Sequence, residues 1–194
     1  MVKENISAEK ALQRLVSGNE RYMRSRTSDG DISPEKRILT EKNGQSPYAV
    51  IITCSDSRVI PEGIFSAGIG DLFVIRVAGN VMDDHQLGSV EYAVSHLGVK
   101  LVVVLGHDRC GAVDAAINHD PEGYIKFITD EIRKAVGDEK DEVKACCLNV
   151  FHSVDIIESS MSIRIEEEHG LIVTGALYHL GSGRVEFLDR KEFF

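Results

Sequence analysis

Three short, almost continuously apolar runs constrain the fold of this chain more than any other feature. They are YAVIITC at 48–54, LFVIRVA at 72–78 and KLVVVLGH at 100–107. Runs of this length, rich in β-branched residues and without alternating polar positions, are typical of strands that are buried on both faces. The sequence therefore predicts a central, mostly parallel sheet that is covered on both sides.

Segments with helical spacing of apolar residues separate these strands. Between the second and third runs, one stripe comprises Leu87, Val90, Val94 and Leu97. The other predicted elements are helices at 110–118, 123–136 and about 139–160, and strands at 171–178 and 184–188. Strands that alternate with helices predict an α/β fold with about four parallel strands, an antiparallel edge strand and helices on both faces.

The residues before the first apolar run predict an N-terminal helical arm. Ser7 and Ser33 are each placed to cap a helix, and a long polar loop separates the first helix from the sheet. Such an arm is suited to lie on a neighbouring molecule. Because no repeat or linker divides the 194 residues, we interpret them as one domain, with the arm at 1–43 and an α/β core at 44–194.

Charge and hydropathy disfavour two classes of partner. The net charge of −9 is unsuited to nucleic acid or an anionic membrane, since both attract basic surfaces. No apolar run approaches the ~20 residues that span a bilayer, and MVKENISAEKAL lacks the apolar core of a signal peptide. We therefore expect a cytoplasmic protein with no nucleic-acid or membrane partner, and its four cysteines are expected to be reduced.

Cysteine and histidine residues stand at the ends of two buried runs. Cys54 ends the first run, His107 ends the third, and Cys110 follows three residues later. Reacting groups of open parallel sheets gather at the C-terminal ends of the strands, so these side chains are expected to meet. Thiolate and imidazole are ligands that zinc favours, and three protein ligands leave a position for water or substrate. On these residues alone, metal binding and ordinary buried packing are about equally open.

Two charged residues follow Cys54 closely. Asp56 and Arg58 are two residues apart just beyond a strand, so they can pair with each other. The carboxylate can also accept a hydrogen bond from water on a nearby metal. Taken alone, such a pair is more often an ordinary surface ion pair.

Taken together, these motifs resemble the beta-carbonic anhydrase family. C-x-D-S-R at 54–58, followed by H-x-x-C-G at 107–111, is similar to the family signature. The resemblance extends to A-x-x-A-L-x-R-L-x-x-G-N-x-R at 8–21, GDLFVIRVAGN at 70–80 and SVEYAVSHLGV at 89–99. It implies reversible hydration of carbon dioxide to bicarbonate and a proton by zinc-bound hydroxide, in a homodimer or higher homo-oligomer.

The resemblance also implies roles for individual residues. Zn²⁺ would be held by Cys54, His107 and Cys110. Asp56 would orient the hydroxide, and Arg58 would hold Asp56 off the metal, where it can become a fourth ligand in a closed state. A substrate pocket, formed partly by the dimer partner, would be lined by Gln45, Phe73, Ala78, Tyr92 and Gly111.

Three positions depart from patterns found in the family. Ile51 stands where members with a regulatory bicarbonate site have tryptophan, so no such control is expected here. Asp108 replaces a small polar residue, and its negative charge near the metal would slow hydroxide formation. Val77 stands where asparagine is common. Neither Asp108 nor Val77 is a ligand, so they bear on the rate more than on the reaction.

Two other functions remain open at this stage. Carbonyl sulfide or carbon disulfide could be hydrolysed on the same fold, because both are linear electrophiles like carbon dioxide. A non-catalytic zinc-binding or redox-sensing protein is the other alternative, and the Asp56–Arg58 pair disfavours it because a structural site needs no such pair. Cys146 and Cys147 lie in a predicted helix and are interpreted as packing residues.

Overall fold

Five strands form one sheet within residues 5–27 and 29–193, which the computed structural model describes. The strands are β1 (Ala49–Thr53), β2 (Leu72–Arg76), β3 (Leu101–His107), β4 (Ile172–Tyr178) and β5 (Val185–Phe187). Their order is β2-β1-β3-β4-β5, and only the β4–β5 pair is antiparallel. The predicted sheet of four parallel strands with an antiparallel edge strand is confirmed.

Helices flank the sheet within the same residues. They are α1 (Ala8–Arg24), α2 (Pro34–Asn43), α3 (Pro61–Ile64), α4 (Asp84–Leu97), α5 (Gly111–Asn118), α6 (Ile125–Val136), α7 (Glu142–Ser159) and α8 (Met161–Glu167). The predicted helix at about 139–160 is present as α7, and α8, which was not predicted, follows it. Ser160 separates the two because its hydroxyl accepts a hydrogen bond from the Ile163 amide and caps α8. None of these helices is both long and apolar enough to span a bilayer.

Side chains of β1 and β3 alternate between two buried layers. Ile51 and Val103 pack in the layer that includes residues of α1 and α3. Val50 and Val104 pack in the opposite layer, with residues of α4, α7 and α8. Burying such a side chain contributes about 1.5–3 kcal/mol, so the central strands are fixed in register by apolar contacts on both faces.

The first helix belongs to the core of its own chain. Ser7 caps α1 as predicted, accepting a hydrogen bond from the Lys10 amide at 3.4 Å. Ala8, Ala11 and Leu15 of α1 are fully buried in the core on one face of the sheet of the same chain. That α1 also contacts a neighbouring molecule stays a prediction. Val16 and Met23 of the same helix are 40% and 43% exposed, and α2 has no buried residue.

Candidate metal centre

The three predicted ligands meet at the C-terminal edge of the sheet. Cys54 directly follows β1, and His107 is the last residue of the adjacent parallel strand β3. Cys110 immediately precedes α5. One ligand atom from each of the three residues lies within 4.8 Å of the others, and all three residues are buried. Among the residues that the structure describes, this is the one such grouping of histidine, cysteine and acidic side chains.

The ring of His107 is oriented for a metal through Nε2. Nδ1 lies 2.8 Å from the carbonyl oxygen of Asp108, which can only accept, so Nδ1 carries the proton. Nε2 is then a lone-pair donor. It is buried and has no hydrogen-bond partner among the described residues. A buried nitrogen of this kind, facing two cysteines, fits a metal ligand.

Backbone amides and a neighbouring thiol surround the sulfur of Cys54. The amides of Gly79 and Asp56 donate to Cys54 Sγ at 3.2 Å and 3.4 Å. A hydrogen bond from Cys110 lowers the pKa of Cys54, and the same contact together with burial raises the pKa of Cys110. A metal ion held by both sulfurs requires both thiols to be deprotonated, and the amide donors favour the thiolate of Cys54.

The chemistry of this donor set fits zinc. Thiolates are soft ligands that select zinc over magnesium or calcium, and two thiolates with one imidazole form three corners of a tetrahedron. Burial of all three ligands excludes most competing water, and the fixed tautomer of His107 presents Nε2 without reorganisation. The residues present therefore suit a zinc ion with one position left for a small molecule.

The predicted pair of Asp56 and Arg58 is present beside these ligands. Arg58 Nε donates to Asp56 Oδ1 at 2.9 Å, and Arg58 Nη2 donates to Oδ2 at 2.6 Å. The guanidinium holds the pKa of the Asp56 carboxyl well below its usual range. Asp56 Oδ2 also lies 3.9 Å from Nε2 of His107, so an ionised carboxylate faces the position between the ligands.

Arg76 is a contributor that the sequence analysis missed. Its side chain donates to the carbonyl of Cys54 at 3.2 Å and to that of Asp56 at 2.7 Å, and so fixes the backbone that carries both residues. The available signal was a charged residue inside the otherwise apolar run LFVIRVA. A charged residue in an apolar run does not by itself indicate which backbone its guanidinium contacts.

The predicted pocket residues fall into two groups. Gly111 directly follows Cys110, and Ala78 starts the turn that carries Gly79, so these two lie beside the ligands. Phe73 pairs in register with Val50, four residues before Cys54, which places it about 13 Å along the strand from the site.

Tyr92 and Gln45 also lie away from the candidate ligands. The ring of Tyr92 lies 6.2 Å from that of Phe73, measured between centroids, and Tyr92 is 46% exposed. Gln45 precedes β1, at the opposite end of that strand from Cys54, and is exposed. A single chain thus places these three residues away from its own ligands.

Comparison with known proteins decides the family. A family model described as carbonic anhydrase matches residues 49–185. A solved structure from Sordaria macrospora, reported among two tetrameric beta-carbonic anhydrases, superposes with a TM-score of 0.70 at 30% identity, over 80% of this chain and 87% of that one. This chain belongs to the beta-carbonic anhydrase family. The resemblance inferred from the sequence motifs is confirmed.

Other carbonic anhydrases are also similar over most of the chain. Carbonic anhydrase 2 of Mycobacterium tuberculosis is 39% identical over 191 residues, which is 92% of each chain. The carbonic anhydrase of Mycolicibacterium smegmatis is 37% identical over 189 residues, 91% of each. The structure of the beta-carbonic anhydrase CafA of Aspergillus fumigatus superposes with a TM-score of 0.74 at 30% identity, over 80% of this chain and 81% of that one.

Proposed function

We propose that this protein is a zinc-dependent carbonic anhydrase that catalyses the reversible hydration of carbon dioxide to bicarbonate and a proton. The arrangement that carries the proposal is an ionised carboxylate, held by an arginine, beside a buried Cys-His-Cys group. Asp56 Oδ2 lies 3.9 Å from the free Nε2 of His107 in a chain of the beta-carbonic anhydrase family. A purely structural zinc site needs no such carboxylate.

Cys54, His107 and Cys110 would hold the zinc ion through two sulfurs and one imidazole nitrogen. When bound, zinc acts as a Lewis acid and supplies a nucleophilic water near neutral pH. The imidazole donates from Nε2 because the Asp108 carbonyl retains the proton on Nδ1. The Gly79 amide donates to the Cys54 sulfur and limits its rotation.

Asp56 would orient the reacting water. Its carboxylate accepts hydrogen bonds only, because Arg58 keeps its pKa low and the group ionised. A water that donates to Oδ2 has its hydrogen directed at the carboxylate and a lone pair directed toward the substrate. Two hydrogen bonds from Arg58 fix the plane of the carboxylate, and such positioning lowers the barrier of a two-reactant step.

One assay tests this function. Stopped-flow measurement of carbon dioxide hydration by the purified protein, with zinc analysis of the same sample, should show rapid turnover and one zinc per chain. Carbonyl sulfide and carbon disulfide hydrolysis should be measured in parallel, since both are alternative linear substrates. Hydrolysis of either without carbon dioxide hydration would overturn the proposal, as would zinc-loaded protein that turns over none of the three.

We also propose a homodimer or higher homo-oligomer in which one chain completes the pocket of another. Phe73 and Tyr92 lie far from the ligands of their own chain and are partly exposed, which suits contact with a second copy. Helix α2 exposes Ile38 and Leu39 and has no buried residue, so it offers a further apolar surface. The solved Sordaria relatives are described as tetrameric.

A cytoplasmic location is proposed from the cysteines. Cys54 and Cys110 serve the proposed zinc site only as reduced thiols, and Cys146 and Cys147 are free as well. A reducing compartment keeps all four in that form. Cell fractionation followed by activity measurement would test this, and activity confined to an extracytoplasmic fraction would contradict it.

A further inference from the structure

A strained turn at Ala78–Asn80 lies against the metal centre. Gly79 and Asn80 have φ angles of 67° and 46°, both in the left-handed region. The Gly79 amide donates to Cys54 Sγ at 3.2 Å. A Cβ at Gly79 would meet Ile132 Cδ1 at 2.8 Å and Ala112 Cβ at 3.0 Å, so both the backbone angle and the space require glycine there.

Two polar side chains of α7 hold this turn from behind. Asn149 Nδ2 donates to the carbonyl of Gly79 at 2.7 Å, and Ser153 Oγ donates to the carbonyl of Asn80 at 2.9 Å. Asn149 and Ser153 are four residues apart, on one face of the helix, and each is only 1% exposed. The same peptide segment thus receives bonds from α7 and gives one to the Cys54 sulfur.

Stability alone does not explain a buried amide at position 149. Oδ1 of Asn149 is buried and has no hydrogen-bond partner within the described part of the chain, and the same is true of Asn80 Nδ2. A buried polar atom left unpaired is unfavourable, whereas apolar side chains of similar size carry no such penalty. The residue is therefore better explained by the one bond that it does make, to Gly79.

We propose that Asn149, supported by Ser153, is a positioning residue for the metal centre that aims the Gly79 amide at the Cys54 sulfur. The inference rests on the proposed zinc site. An N–H bond to a thiolate withdraws charge from the sulfur and fixes its direction, so its loss alters both metal affinity and the electron donation of Cys54. Asn149 touches neither the ligand sulfur nor the substrate, and acts through the backbone of the turn.

The test compares Asn149→Leu with wild type and with Val154→Ala. Val154 is a buried residue of the same helix that packs against the sheet instead of the turn, so its truncation weakens α7 packing without touching Gly79. Zinc affinity is measured by chelator competition, and the thiolate-to-metal charge-transfer band is measured in the cobalt-substituted proteins. Thermal melting of each variant reports folding.

Asn149→Leu is expected to weaken zinc binding by on the order of tenfold or more and to move the charge-transfer band to lower energy. Val154→Ala is expected to lower the melting temperature with both readouts unchanged. If Asn149→Leu does not fold, Ser153→Ala provides the test, because it removes only the bond to the Asn80 carbonyl. It is expected to give a smaller loss of zinc affinity and a smaller shift of the charge-transfer band.

Failure of the positioning role can be distinguished from failure of the proposed function. A folded Asn149→Leu or Ser153→Ala variant with wild-type zinc affinity and an unshifted band would overturn the positioning role and leave the proposed function intact. Wild-type protein that binds neither zinc nor cobalt at the cysteines would overturn the proposed function and this inference together.

Discussion

Asp108 connects the metal centre to the neighbouring strand through both its backbone and its side chain. Its carbonyl accepts a hydrogen bond from His107 Nδ1, and its amide donates to the Tyr178 carbonyl at 3.2 Å. Its carboxylate accepts from the Leu180 amide at 3.0 Å. The orientation of a ligand ring therefore depends on how well residue 108 is held against the end of β4.

Charge and hydrogen bonding at Asp108 can be separated by two substitutions. Asp108→Asn retains an acceptor for Leu180 but removes a negative charge near the metal. It is expected to preserve zinc binding and to move the midpoint of the pH–activity profile to lower pH, by up to about one unit. Asp108→Ala also loses the acceptor and should bind zinc more weakly. An Asp108→Asn profile with an unchanged midpoint would contradict the inhibitory role of this charge.

Cysteine substitutions test the ligand set itself. Cys110→Ser is expected to lose most of its zinc, because a neutral hydroxyl replaces a thiolate that lies within 4.8 Å of the other two ligand atoms. Cys147→Ser is the matched control, since Cys147 is an equally buried cysteine in the apolar cluster around α7. Metal analysis of both purified variants would show the difference. Full zinc occupancy in Cys110→Ser would remove Cys110 from the ligand set.

The close packing of α7 on the sheet depends on two glycines. Val150 of α7 lies over Gly106 of β3 and Gly175 of β4, where added Cβ atoms would meet its methyl groups at 2.5 Å and 2.6 Å. Contacts this short leave no room for a side chain on either strand. The helix that carries Asn149 is thereby held close to the strand that carries His107.

A double-mutant cycle at this contact tests the packing. Gly175→Ala is expected to destabilise the protein by about 1–3 kcal/mol through overpacking against Val150. Val150→Ala alone should also destabilise, by leaving a cavity. The double variant should lose less stability than the two single variants lose in sum, because the smaller side chain at position 150 accommodates the added methyl at position 175. Strict additivity in denaturant unfolding would show that the two positions do not compete for space.

The central strands could be predicted because their continuous apolar, β-branched residues indicate burial on both faces of a sheet. Val102, Val103 and Val104 lie in a run that only a doubly covered strand accommodates, and the ends of such strands indicated Cys54 and His107. The short helix α3 was not predicted. Its four residues are too few for a helical period, and it forms where the chain turns back after Arg58.

The supporting residues of the site could not be predicted for a different reason. Asn149 and Gly79 are 70 residues apart, and nothing in the sequence around either one indicates the other. Arg76 likewise reaches carbonyl oxygens, which every residue offers. Cysteine and histidine are chemically distinctive, whereas backbone acceptors are not, so the sequence could indicate the candidate ligands but not the residues that contact the backbone around them.

At the scale of the whole molecule, ionisation of one buried tyrosine is expected to lower the free energy of unfolding at alkaline pH. Burial raises the pKa of Tyr48 to about 12, from an ordinary value near 10. Folding favours the neutral form of Tyr48. The buried side chain therefore makes its full contribution to the free energy of unfolding below pH 10, and this contribution is lost as the pH rises through 12. About two pKa units correspond to roughly 2–3 kcal/mol.

Tyr48→Phe removes this titration. Between pH 10 and 12 the free energy of unfolding of the wild-type protein is expected to fall more steeply than that of the variant. Tyr124→Phe, at a position that is 88% exposed, should follow the wild-type curve. Denaturant unfolding across this range would measure all three, and parallel curves for wild type and Tyr48→Phe would contradict the prediction.

The proposed homo-oligomer can be tested with two variants that each lack a different part of the proposed shared pocket. Tyr92→Ala is expected to retain its zinc but lose activity, because Tyr92 would serve the pocket of a partner chain. Coexpression of Tyr92→Ala with Cys110→Ser should then restore activity, since a mixed dimer has one pocket with intact ligands and an intact partner tyrosine. Light scattering should show a dimer or larger species at micromolar concentration. An active monomer, or no recovery on coexpression, would contradict the shared pocket.

The position of the candidate ligands on adjacent strands also predicts an order of events during synthesis of the protein. Cys54 and His107 become neighbours only after β1 and β3 have paired, and that pairing joins segments separated by β2 and α4. A nascent chain that has not yet formed β3 therefore has no site to load. If the proposed zinc site forms in this way, zinc binds after β1 and β3 have paired, and the rate of zinc uptake during refolding is expected to follow the pairing of these two strands.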